Sequence, residues 1–91
     1  MATLIKASGG KSEITPRNNK AFELEEAQAL VGGYIQIIHV GDENVMVFDE
    51  EGKLKGKPVN QMATMVAKMH RAIFPTDFIV GDVIYCKNDD I

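Results

Sequence analysis

Few side chains in this sequence could do chemistry: two histidines (His39, His70), one cysteine (Cys86), turn carboxylates (Asp49, Asp82) and the alternating lysines Lys53, Lys55 and Lys57 that lead to Asn60. A thiol beside an imidazole can act as nucleophile and base. Cys86 follows Tyr85 at the end of an apolar stretch with no glycine-rich elbow around it, which favours a small buried hydrophobe instead. Two histidines could share a metal ion, yet neither has an acidic or thiol neighbour at ligand spacing. His70 falls near the end of a helix, where an imidazolium suits the dipole. Asp49 and Asp82 adjoin turns, where carboxylates commonly accept backbone hydrogen bonds, so they signal an acid–base pair only weakly. Glu23, Glu25 and Glu26 crowd the first turn of a helix, an electrostatically favourable place for them without any metal. There is no phosphate loop, Cys-x-x-Cys, His-Glu-x-x-His or calcium loop. These residues assign no catalytic group, no metal and no cofactor.

The lysines are the one local constellation that suggests a ligand. In an extended segment Lys53, Lys55 and Lys57 would project from one face. Gly56 permits close backbone approach, and Asn60 with a helix N-terminus follows at once. An anion, such as a nucleotide, could be held by Lys55, Gly56, Lys57 and Asn60, with Tyr34 as a stacking surface if the fold brings it near. The competing reading is a sheet edge protected by lysines.

The elements that must position these residues are short. Ala2 to Ala7 reads as a strand, Ser8-Gly9-Gly10 as a turn, and Lys11 to Thr15 as a polar, edge-like returning strand. Phe22 to Val31 carries Leu24, Ala27, Leu30 and Val31 on one helical face and stops at Gly32-Gly33. Tyr34 to Val40 and Val45 to Phe48, joined through Gly41-Asp42-Glu43-Asn44, form a hairpin signal. Lys53 to Lys57 is a short strand or an extended loop. Asn60 is a good N-cap for a helix reaching about Ile73, with Met62, Met65, Val66, Met69 and Ile73 as an apolar stripe that would lie on the sheet, the alternative being an adaptable binding surface of methionines. Phe78 to Cys86, interrupted at Gly81-Asp82, is apolar enough for a central strand. The expected fold is a single α+β domain over residues 1–91, with its structured core at about 3–86 and a short polar tail at 87–91. Its order is ββ-α-βββ-α-β: a mostly antiparallel sheet with both helices packed on one face. Leu30, Ile35, Ile37, Val47, Met65, Met69, Ile79 and Val83 are the expected core.

Composition narrows the function classes. At 91 residues the chain allows one modest core. Ten basic against thirteen acidic residues leave a net charge of −3, which argues against a dedicated duplex-DNA binder. A single cysteine excludes an internal disulfide and suits a reducing compartment. No apolar run is long enough to span a membrane, and the first ten residues lack the apolar stretch of a signal peptide. A cytoplasmic location is expected. Covering a sheet edge by self-association would suit so small a domain, so a homodimer is also expected.

Four segments, Val31-Gly32-Gly33-Tyr34-Ile35, Asp49-Glu50-Glu51-Gly52-Lys53-Leu54, Pro58-Val59-Asn60-Gln61-Met62-Ala63 and Ile79-Val80-Gly81-Asp82, occur in an order that resembles a small family of phages, plasmids and bacteria known as domain of unknown function 3846. The likeness spans about residues 3–86. Many relatives have a hydroxyl residue where Glu23 stands, which implies a weaker cap on the first helix here. The resemblance carries no catalytic residues. It implies a mobile-element context, in the host cytoplasm if phage-encoded, and a binding protein that occupies a host protein or sequesters a small anion, for instance against host defence. The alternatives are a small enzyme using Asp49, Asp82 or a histidine, and a nucleic-acid-associated regulator.

Overall fold

In the computed structural model, which describes residues 2–91, the elements run β1 (Ala2–Ile5), β2 (Lys11–Ile14), α1 (Leu24–Val31), β3 (Ile35–Val40), β4 (Asn44–Asp49), α2 (Gln61–Met69) and β5 (Val83–Lys87). A 3-10 turn over Asn88–Asp90 closes the chain. The strands form one antiparallel sheet in the order β2-β1-β5-β4-β3, so β5 is central and β2 and β3 are the edges. The α+β class is therefore as expected, with order ββ-α-ββ-α-β. No strand forms over Lys53–Lys57, because residues 50–56 coil through successive turns.

The helices do not share a face. Side chains alternate across a strand, and β4 sends Val45 and Val47 to one side and Met46 to the other. The first core joins those valines to Ala2, Leu4, Ile84 and Cys86, and is roofed by Ala27 and Val31 from α1 and by Phe22 just before it. The second joins Met46 to Val40, Val83 and Ile79, and is roofed by Ala63 and Ala67 from α2. The central strands are thus apolar on both faces, so each face needs its own helix.

The second helix corrects the expected core. Ala63 and Ala67, four residues apart and fully buried, form its inner face. Met65 and Met69 fall on the far side, 56% and 74% exposed, and Ile37 is also exposed. Val47, Ile79 and Val83 are buried, while Leu30 and Ile35 are half-buried against the first core. The helix also ends earlier than Ile73. His70 caps it, Arg71 takes a left-handed φ of 56°, and the Ala72 amide donates to Ala67 O. That is a Schellman ending with arginine where glycine is usual.

At the other helix, Glu23 makes no side-chain cap bond, and Gly32 ends α1 with φ 81°. Residues 87–91 are held against the body: Phe22 N–H donates to Asp90 O, and Asn88 N–H to Glu43 O.

Candidate functional site

The turns after β4 bring the chain back onto the C-terminus of α1. Asp49, the last residue of β4, is buried, with its side chain only 1% exposed. Its Oδ2 accepts from Lys55 Nζ at 2.8 Å and Lys57 Nζ at 2.7 Å, and its Oδ1 accepts from the Glu51 amide at 2.9 Å. Lys57 Nζ also donates to Val31 O at 2.8 Å, and Lys55 Nζ to Gly32 O at 3.2 Å. The two ammoniums therefore satisfy terminal carbonyls of α1 and lie at the negative end of its dipole. Helix α1 has no basic residue of its own in its last turn.

Close approach at this knot depends on glycine. A Cβ on Gly33 would lie 2.6 Å from both Asp49 Oδ1 and Lys55 Nζ, and one on Gly52 would lie 2.8 Å from a methyl of Val80. Burial by itself would push the Asp49 carboxyl up. The Lys55 and Lys57 ammoniums and the Glu51 amide outweigh it and hold the group down at about 2. In turn the Asp49 carboxylate pushes the Lys55 ammonium up. Asp49 is thus a fixed anion near neutral pH, with both oxygens engaged, and is poorly suited to proton transfer.

Asn60 forms a second knot. It is fully buried; its Nδ2 donates to Ile5 O and Gly81 O, both at 2.9 Å, and its Oδ1 caps α2 by accepting the Ala63 amide at 3.1 Å. Its backbone N–H donates to Ile79 O. Next to it Gly81 N–H donates to Pro58 O, and Val59 pairs with Val80 in an isolated bridge. Gly81 has φ 76°, which breaks the last apolar run before β5.

The residues expected to hold an anion are thus separated in role. Lys55 and Lys57 come together, but around Asp49. Asn60 has its side-chain amide committed within the core. Gly56 is exposed with φ 71° and open space around it, so its conformation accounts for the glycine. Tyr34 is exposed. Lys53 leaves the other lysines, pairs with Asp77 and lies 4.4 Å from the Phe78 ring centroid.

The other chemical candidates are also dispersed. Cys86 is buried in the first core; burial, with a contribution from Asp90, pushes its thiol up to about 11. Val45 stands between Cys86 and His39 in the ladder. His70 caps α2 beside Gly41. Asp82 accepts the Ala7 amide at 3.0 Å. Among the described residues no three His, Cys, Asp or Glu side chains gather as metal ligands.

What remains open to a partner is the outer side of α2. Met65 and Met69 line a shallow depression of about 580 Å³ with Val59, Thr64 and Phe78. Lys68 borders it, and also borders a neighbouring groove that contains Arg71 and Phe74. Lys68 and Arg71 form no salt bridge among the described residues, and Asp77, which lines the same groove, is paired with Lys53, so two cations border this apolar surface although the chain is acidic overall. The apolar spacing of these methionines favours a core position over a binding surface, and the structure places them outside. The alanines at i and i+4 were the available sign that a different face touches the sheet.

Fold and junction together define a small α+β domain with one helix on each face of an antiparallel sheet, pinned by a lysine–carboxylate knot. The chain belongs to the family described as domain of unknown function (DUF3846), whose model matches residues 1–91. No curated protein and no solved structure matches it. The four segments that carry the resemblance meet at this junction: residues 31–35 supply the accepting carbonyls, 49–54 the carboxylate and turn, 58–63 the Asn60 cap, and 79–82 the segment before β5 that Asn60 and Val59 bind. No helix among the described residues is long and apolar enough to cross a membrane.

Proposed function

We propose that this protein is a non-enzymatic binding module that occupies a partner protein through the outer face of α2. The observation that carries this reading is the exposure of Met65 and Met69 beside Val59 and Phe78, on a helix whose packing uses its alanines. Methionine side chains are flexible and polarizable, and suit adaptable contact surfaces. The basic rim of Lys68 and Arg71 favours an apolar partner segment flanked by acidic residues. Occupying a host protein in this way is the activity that a mobile-element context would use.

The reading is favoured over an enzyme because the buried polar groups are mutually satisfied. Asp49 and Asn60 hold lysines, amides and carbonyls rather than facing a cleft.

The test uses the wild type and a Met65→Glu/Met69→Glu variant as baits in host lysate, after equal folding is checked by circular dichroism and urea melts. A protein retained by the wild type and lost by the variant supports the reading. Identical capture by both baits overturns it. A parallel calorimetric screen of common and cyclic nucleotides distinguishes the anion-binding alternative. Heat seen with the wild type and lost in a folded Lys55→Ala/Lys57→Ala variant would place the ligand at Lys55–Gly56–Lys57 instead.

A further inference from the structure

The two sheet edges are guarded differently. Edge strand β2 reads Lys-Ser-Glu-Ile, with Lys11, Ser12 and Glu13 exposed, and charged side chains of this kind discourage strand addition. Edge strand β3 reads Ile-Gln-Ile-Ile-His-Val, with no lysine, carboxylate or proline, and Ile37 on it is 41% exposed. We propose that the free edge of β3 pairs antiparallel with β3 of a second copy, joining two five-stranded sheets into one across a two-fold axis.

The register follows from the backbone. Glu50 N–H donates to Tyr34 O one step beyond the Ile35↔Asp49 pair, so Tyr34 and Glu50 are a hydrogen-bonded pair. Bonding in an antiparallel ladder alternates along the strand. Gln36, Ile38 and Val40 therefore turn their amides and carbonyls toward β4, and Ile35, Ile37 and His39 turn theirs outward. Residues opposite one another in an antiparallel pair point to the same face, so a strand meeting its own copy about a two-fold axis normal to the sheet must pair like-facing positions. Centring on Ile37 does this and uses every outward group: Ile37 faces Ile37 of the partner copy, and Ile35 faces His39 of the partner copy, twice by symmetry.

The surroundings fit a second copy. Ile37 meets its own equivalent on the α1 face. On the α2 face, Ile38 of the partner copy lies opposite Gln36, in a groove also lined by Ile73 and Phe74. The same register carries the Asp42–Glu43 turn of each copy toward Gly32 and Gly33 of the other, where the Lys55 ammonium is partly exposed. The Asp42 and Glu43 carboxylates thus approach the exposed part of the Lys55 ammonium, which Asp49 already engages from the inner side.

Sedimentation or light scattering across a wide concentration range tests this. The expected mass at high concentration is twice the 10.0 kDa chain mass, falling to 10.0 kDa in an Ile37→Lys variant of unchanged circular dichroism. An Ile37→Cys variant supplies the second reading, because paired Cα atoms about 5.5 Å apart lie within disulfide reach. Mild oxidation should link it into a covalent dimer, and buried Cys86 should not compete. A concentration-independent monomer overturns the proposal. So does a dimer that survives Ile37→Lys, or one whose Ile37→Cys form never cross-links, since either would put the interface elsewhere.

Discussion

Replacing Asp49 by asparagine tests the central knot, because it removes one charge and little volume. The Asp49 carboxyl sits at about 2 in the folded chain against an ordinary value of 3.8. At 1.36 kcal/mol for each pKa unit, the folded state favours the ionised carboxylate by about 2 kcal/mol. The sign follows from the lowered value: this stability is fully present above pH 3.8 and is lost as the pH falls through 2. Asp49→Asn should therefore lower the unfolding free energy by about 2 kcal/mol at pH 7, and by about 1 kcal/mol near pH 3, where the native carboxylate has already lost part of its advantage.

Urea melts at both pH values measure this, with an unchanged m-value showing that stability rather than the unfolding reaction has altered. The two lysines should not respond equally. Lys57 is less exposed than Lys55, 23% against 42% at the side chain, and makes the shorter carbonyl bond, so Lys57→Met should cost more than Lys55→Met. Equal losses from Asp49→Asn at pH 7 and pH 3, or a loss below about 0.5 kcal/mol at pH 7, would refute the electrostatic account.

Further outcomes follow from the packing. Met65→Ala and Met69→Ala should each cost under about 1 kcal/mol, against the roughly 2–5 kcal/mol of a buried methionine, whereas Ala67→Leu should cost about 1–3 kcal/mol by overfilling the contact with the sheet; thermal or urea melts decide. Asn60→Ala should cost about 3 kcal/mol, combining a lost helix cap with the unmet buried carbonyls of Ile5 and Gly81, and folding with a near-native urea midpoint would contradict that. Cys86 should resist thiol reagents at pH 8 until urea opens the first core, since it is buried and its thiol is pushed up to about 11; complete labelling of the native chain on mixing would place it at the surface.

Local signals carried much of the fold. Paired glycines marked the end of α1, Asn60 marked the start of α2, and β-branched alternation marked the β3–β4 hairpin. The helix arrangement was less legible because an apolar run such as Val45–Val47 reads alike whether one or both faces are covered. The end of α2 was hidden because Arg71 occupies a left-handed position usually betrayed by glycine. At the junction the sequence displayed the parts but not their pairing. Lysines at alternate positions suggest one face, yet the turns around Gly52 rotate Lys53 toward Asp77 and the other two toward Asp49. That pairing is tertiary, so no local period announces it.

The misplacement of the methionines itself bears on function. On a hydrophobicity scale Met65 and Met69 outrank Ala63 and Ala67, so any pattern weighted by hydrophobicity turns the helix the wrong way. The packing reverses that preference: Ala63 and Ala67 are fully buried in one cluster with Met46 and Val83, and the methionines stay outside. Once the alanines are inside, the fold draws little stability from the outer methionines, and exposed apolar groups carry an association risk. Their presence beside Phe78 and Val59 is then better accounted for by contact with another molecule than by folding. The β3 edge adjoins this surface, since Gln36 and Ile38 line the groove that Lys68, Arg71 and Phe74 also line, but Met65 and Met69 line the other depression and Ile37 lies on the α1 face of the sheet. Loss of partner capture without loss of the dimer, and loss of the dimer without loss of capture, are therefore separable results in Met65→Glu/Met69→Glu and Ile37→Lys.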